Sequence, residues 1–199
     1  MRIVLATNNA GKLRELQAML QPLGFSVLPK AEFTSEEVVE DGDSFVANAL
    51  LKARHAAQAS GLAAIADDSG IELDALAGAP GIHSARYAGA QAGDIDNLNK
   101  LLEAMQHVPD VQRSARYRCA LVYVRNAQDS APLICEASWE GSITRVPAGT
   151  GGFGYDPMFW LSEQGCTAAE ISAELKNRLS HRGQALKKLL ESLSKAQAC

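Results

Sequence analysis

Ile3-Val4-Leu5-Ala6-Thr7-Asn8-Asn9-Ala10-Gly11-Lys12 decides the fold. Four apolar residues make a buried strand, and Thr7-Asn8-Asn9 is the turn that follows it. Leu13, Leu16, Leu20 and Leu23 then recur at helical spacing, so a helix opens near Gly11 and stops around Pro22 to Gly24. Outward from there, Phe25-Ser26-Val27-Leu28 reads as a second strand and residues 36–43 as an acidic loop. Residues 44–60 carry Phe45, Ala49, Leu50, Ala53 and Ala57 along one side, which predicts a helix ended by Gly61. Ala63-Ala64-Ile65-Ala66 is a third strand, ending in Asp67-Asp68-Ser69-Gly70. Residues 80–93 read as an ordered loop and 95–105 as a helix. Residues 115–125, 133–139 and 142–146 are strand-like, with turns at 126–129 and Gly141. Ser180 suits the cap of a last helix striped by Leu186, Leu189, Leu190 and Leu193. Helices and strands alternate early and strands cluster late, which predicts a mixed α/β sheet.

The chain of 199 residues is 47% hydrophobic and 21% charged, with 16 Gly, 7 Pro and 4 Cys. Those figures leave room for a sizeable core and exclude a disordered, collagen-like or disulfide-framed chain. A net charge of −4 argues against a nucleic-acid coat protein, yet leaves a small anionic substrate open, since a local pocket can be positive on an acidic protein. Cys119, Cys135, Cys166 and Cys199 form no C-x-x-C pair, so reduced thiols of a cytosolic protein are expected rather than a zinc or redox site. Met1 to Ala6 lacks the longer apolar core of a signal peptide, and no stretch approaches the ~20 apolar residues of a membrane span. A soluble, cytoplasmic protein with no membrane partner is expected.

Five clusters carry possible chemistry. Thr7-Asn8-Asn9-Ala10-Gly11-Lys12 places a small turn and a lysine at a helix start, where free N–H groups and the helix dipole favour an anion. An ordinary capped turn accounts for it equally well, and the Walker A spacing is absent. Asp67-Asp68 is suited to a hard cation, with strand alternation sending the two carboxylates to opposite sides, although Asp-Ser-Gly is also common turn chemistry. Glu40 precedes a helix on which Asn48 and Lys52 share a face. Gly149-Thr150-Gly151-Gly152-Phe153-Gly154-Tyr155-Asp156-Pro157 matches G-x-G-x-x-G, but it neither follows a strand nor opens a helix, so a dinucleotide fold is rejected. It suits close backbone approach to a ligand with an aromatic ring stacked on it, or a wide turn whose aromatics pack inward. Lys176 and Ser180-His181-Arg182-Gly183 offer positive charge and donors at a helix start. No G-x-S-x-G elbow marks a serine hydrolase.

Taken in order, Ala6 to Lys12, Ala66 to Gly70, Gly78 to Tyr87, Gly151 to Pro157 and Ser180 to Gly183 resemble the inosine triphosphate pyrophosphatase family along the whole chain, read as one domain over 1–199. The resemblance implies an α/β fold with an elongated mixed sheet flanked by helices, two lobes and a cleft between them. It implies hydrolysis of purine nucleoside triphosphates carrying hypoxanthine or xanthine (ITP, dITP, XTP, dXTP) between the α- and β-phosphates, with Mg²⁺ as cofactor, in a homodimer. The role would be clearing deaminated purines from the nucleotide pool. Carried residue by residue, it gives Asp68, Lys12 and Lys52 to catalysis and Glu40 and Asp68 to the metal. Thr7, Asn8, Asn9, Ala10, Gly11, Lys12, Ser69, Phe153, Gly154, Tyr155, Asp156, Lys176, His181 and Arg182 go to the substrate. Two positions depart from the family pattern: Ala47 stands where members often carry Glu, and Leu175 where an acidic residue commonly precedes the lysine. Rival expectations are a broad nucleotide pyrophosphatase of modified pyrimidines or methylated bases on the same phosphate and metal residues, and a non-catalytic nucleotide sensor lacking a metal ligand or base.

Overall fold

The structure, a computed structural model, describes residues 2–197; Met1 and Cys199 lie outside the described residues. Strand β1 (Arg2–Leu5) leads to α1 (Ala10–Leu20), then a 3₁₀ turn over Gln21–Leu23 closed by Gly24 in the left-handed region. Strand β2 is Ser26–Pro29, and α2 runs Phe45–Ser60 between a Ser44 cap and a left-handed Gly61. These elements follow the expected pattern because local signals alone define them: apolar spacing, a side-chain cap and a terminal glycine. Then come β3 (Ala64–Leu73), α3 (Asp94–Ala104), β4 (Ser114–Val124), β5 (Leu133–Ile143), β6 (Phe159–Leu161), β7 (Cys166–Thr167), α4 (Ala173–Leu179) and α5 (His181–Gln197). The strands make one seven-stranded sheet in the order β2-β1-β3-β4-β5-β6-β7. Strand β1 pairs in parallel with β2 and β3, whereas β6 pairs antiparallel with β5 and β7, so the fold is α/β with a mixed sheet, as the sequence predicts.

Two compact units divide the chain. One comprises Met1–Asp68, Cys119–Ala137 and Arg182–Cys199, the other Ser69–Arg118 and Ser138–His181. The first has a core of Ile3, Leu5, Leu16, Leu20, Ile65, Leu121, Leu186 and Leu189 among others. Leu16 and Leu20 lie one and two turns beyond Lys12 on α1, so the face that buries them also carries Lys12 inward. The core of the second includes Ile71, Leu73, Leu101, Met105, Tyr117, Trp139 and Phe159.

Two expectations are corrected. Strand β3 does not end at Asp67-Asp68-Ser69-Gly70 but runs through it to Leu73. Turn-type residues persist in the strand because side chains remote in sequence compensate them. Lysine and arginine partners meet the aspartates, and the Ser84 hydroxyl accepts the Ile71 N–H at 2.9 Å. Nor does Gly141 divide two strands. It sits inside β5, where a Cβ would lie 2.6 Å from the Trp160 carbonyl oxygen and 2.7 Å from the Phe159 ring. The glycine marks close approach by β6, not a turn. Three short elements (β6, β7 and α4) have no periodic signature and go unforeseen.

Candidate active site

In the first unit, the turn after β1 is built from its own side chains. The Thr7 hydroxyl accepts the Asn9 N–H at 3.1 Å, and the Asn9 side chain caps α1 by accepting the Lys12 N–H at 3.0 Å. The Asn8 amide turns instead to Glu37, at 3.2 Å. Ala10 and Gly11 open the helix, where backbone N–H groups have no partner within it.

Asp67 and Asp68 separate as strand alternation requires. Asp67 is buried; one oxygen is ion-paired with Lys12, and the other accepts from Arg182 Nε at 3.0 Å and from the Cys119 thiol at 3.1 Å. Arg182 also pairs with Glu15, three residues after Lys12 on α1. Burial pushes the Asp67 carboxyl up, but the Arg182 and Lys12 charges overcome that and hold it well below the usual carboxylate range. Arg182 is 1% exposed, and burial against it is likewise outweighed by Asp67 and Glu15. The structure therefore brings Arg182 to Asp67 and Glu15, with its guanidinium engaged by carboxylates. Cys119, Cys135 and Cys166 are free thiols.

Asp68 meets α2. Its Oδ1 lies 2.6 Å from Lys52 Nζ, and the same ammonium is 3.4 Å from Glu40 Oε2. Asp68 Oδ2 is buried with no hydrogen-bond partner. Burial raises the Asp68 carboxyl above its ordinary value, despite the opposing charges of Lys52 and Lys12. Lys52 shows the reverse balance: burial lowers its pKa, but Asp68 and Glu40 together carry it above the ordinary lysine value. Among the described residues no group of three or more His, Cys, Asp and Glu gathers as a closed metal cage. A pair of carboxylates with an open oxygen suits Mg²⁺, which keeps water and substrate oxygens in its shell.

In the second unit, a buried carboxylate organises the glycine loop. Asp156 accepts from Lys176 Nζ at 2.5 Å, from the Phe153 N–H at 2.8 Å and from the Tyr117 hydroxyl at 3.2 Å. Gly152 has φ +72°, and any Cβ there would strike Asp156. Asp94 accepts the Gly154 N–H at 2.8 Å, and the Tyr155 hydroxyl donates to the Ser84 carbonyl at 2.8 Å. Phe153 is half-buried, with the Lys176 ammonium 4.7 Å from its ring centre. His181, 4% exposed, stacks on Tyr117 with ring centres 4.7 Å apart and planes 9° off parallel. Ser69, half-buried, follows Asp68 directly on β3. Phe153, Asp156 and Lys176 are in mutual contact, and Asp156 meets the chain as an internal support of the loop.

Sequence reasoning passed over several participants. Glu15 matters through the Arg182 cation it holds, and Tyr117 and Asp94 through the glycine loop. Only Glu15 carries a local signal, its three-residue offset from Lys12. The rest are joined to the loop by tertiary packing.

The site is thus an α/β sheet with lysine–carboxylate pairs beside a capped helix start. The chain belongs to the Ham1 family, whose model matches residues 3–192. It is 54% identical over 198 residues to the dITP/XTP pyrophosphatase of Vibrio cholerae, covering 100% of this chain and 99% of that one. With the dITP/XTP pyrophosphatase of Escherichia coli K12 the identity is 55% over 192 residues, covering 96% and 98%. A solved HAM1 protein from Coxiella burnetii superposes with a TM-score of 0.88 at 47% identity, over 98% of this chain and 99% of that one. The chain is accordingly that of an enzyme.

Proposed function

We propose that this enzyme hydrolyses deaminated purine nucleoside triphosphates (ITP, dITP, XTP and dXTP) between the α- and β-phosphates. The products are the nucleoside monophosphate and pyrophosphate, and the effect is to remove deaminated purines from the nucleotide pool. The observation that carries the reading is Asp68: a buried carboxylate held through one oxygen by Lys52, with the other oxygen unclaimed. That open oxygen and Glu40, both beside the Lys52 ammonium, are the residues that would hold Mg²⁺. When bound, the ion supplies charge neutralisation on the phosphates and acidifies coordinated water.

The chain's own groups do the remainder. Lys12 and Lys52 offset the negative charge of the triphosphate, which otherwise repels an incoming hydroxide, and stabilise charge gathering on the leaving pyrophosphate. Asp68, made more basic by burial, accepts the proton of the attacking water. The capped turn of Thr7, Asn8 and Asn9 and the amides of Ala10 and Gly11 bind phosphate oxygens, with Ser69 beside Asp68. Arg182 fixes Asp67 and through it Lys12.

Phe153 stacks on the purine, and donors from Lys176 and His181 read the 6-oxo group, which accepts where the amino group of adenine donates. A donor left unsatisfied costs ~1–3 kcal/mol, so two mismatched contacts give roughly 30- to 10⁴-fold discrimination against adenine. Rejection of guanine must come from its 2-amino group. The homodimer and the cytoplasmic setting rest on the family resemblance; no helix among the described residues is long and apolar enough to cross a membrane. Incubation of the protein with ITP and Mg²⁺ should give IMP and pyrophosphate in equal amounts, and nothing once a chelator is added. IDP with orthophosphate, or turnover indifferent to the chelator, contradicts the reading.

A further inference from the structure

Residues 34–43, which carry Glu40, belong to no helix or strand, yet side chains fasten them at several points. Lys30, itself buried, donates to the Glu36 carbonyl at 2.7 Å, and Asn8 donates to Glu37 at 3.2 Å. Toward the other end, Asn48 Oδ1 accepts the Gly42 N–H at 2.9 Å. Asn48 is fully buried on α2, one turn before Lys52, the residue that meets Glu40 and Asp68. Its Nδ2 finds no hydrogen-bond partner, so the side chain is held through its oxygen alone. A buried amide with an idle donor is a worse core residue than a leucine of similar volume, which points to a task for the bond it does make. Gly42 is the complementary half: a Cβ there would lie 2.7 Å from Asn48 Oδ1 and 2.8 Å from the Ala47 Cβ.

We infer that Asn48, with Gly42 pressed against it, is a positioning residue for Glu40: it fixes the acidic segment two residues past the carboxylate, so that Glu40 stands ready for the divalent cation. The segment has no backbone ladder of its own, so its place depends on these side-chain anchors. Ala47 brings a small methyl where the clamp closes. The inference rests on the metal reading above, and the test separates the two.

Asn48→Leu keeps the volume and removes the acceptor, while Gly42→Ala pushes the segment away from an intact Asn48. Without metal or substrate, amide hydrogen exchange over residues 36–43 should quicken about 5- to 10-fold in each variant, the scale of one buried hydrogen bond. Exchange within α2 should match the wild type. In turnover, the Mg²⁺ concentration for half-activation should rise by a similar factor, with kcat at saturating Mg²⁺ within about twofold. The double variant should be no worse than the poorer single one, because both break the same contact. Unchanged exchange in the segment, an unchanged Mg²⁺ requirement, or a fall in kcat that added Mg²⁺ does not restore overturns the inference. A wild-type enzyme indifferent to Mg²⁺ overturns the metal reading instead and leaves the exchange result to judge the clamp.

Discussion

Adjacent on one strand, Asp67 and Asp68 do opposite work. Asp67 has a cation on each oxygen and no open valence, so its loss strands buried positive charge. Asp67→Asn should therefore destabilise the fold by about 3–5 kcal/mol, the cost of breaking a buried pair, read as a lowered midpoint in urea or heat. Asp68 keeps an oxygen in reserve. Asp68→Asn should lower kcat by ~10²-fold or more while moving the unfolding midpoint less than Asp67→Asn does. Near-normal turnover in that variant removes Asp68 from the chemistry. The alternation of the pair was legible from the sequence, since adjacent strand residues face apart. Which of the two was spoken for was not, because the deciding partner, Arg182, lies over a hundred positions away and shows no periodic relation to Asp67.

At the scale of elements, α1 and α2 were readable because their signals are local. Asn9 and Ser44 cap them, and Gly24 and Gly61 take the left-handed turns that end the two helical stretches. Strands β3 and β5 were misread for one reason: each contains residues that favour turns in isolation, kept extended by neighbours remote in sequence. Gly141→Ala tests this in β5. A methyl forced against the Trp160 carbonyl and the Phe159 ring should cost roughly 1–3 kcal/mol, whereas a true turn glycine with ordinary φ would tolerate it. The connection between β4 and β5 offers a pH signature. Asp129 accepts from the guanidinium and the backbone N–H of Arg125 and from the Ala131 N–H. The Arg125 guanidinium in particular holds its carboxyl below the usual range. A depressed folded value means the stabilisation is complete above the unfolded value of about 3.9 and fades as pH falls through the folded one. Replacing Asp129 with Asn should lower the thermal midpoint at neutral pH and flatten its decline below about pH 4. Parallel curves for the two proteins would contradict the assignment.

For the whole molecule, sequence motifs were a good guide to the family and a poor one to the division of labour among its residues. In the first unit Lys12 meets Asp67, and Lys52 meets both Glu40 and Asp68. Phe153, Asp156 and Lys176 form one contact group in the second, but with Asp156 turned to the loop amide and the lysine as its support. The account stands on selective cleavage of 6-oxo purine triphosphates. Its most direct test is kcat/KM for ITP, XTP, GTP and ATP, followed by pyrophosphate release in saturating Mg²⁺. ITP and XTP should exceed ATP by roughly 30-fold or more, with GTP well below both. Equal values for all four would contradict it.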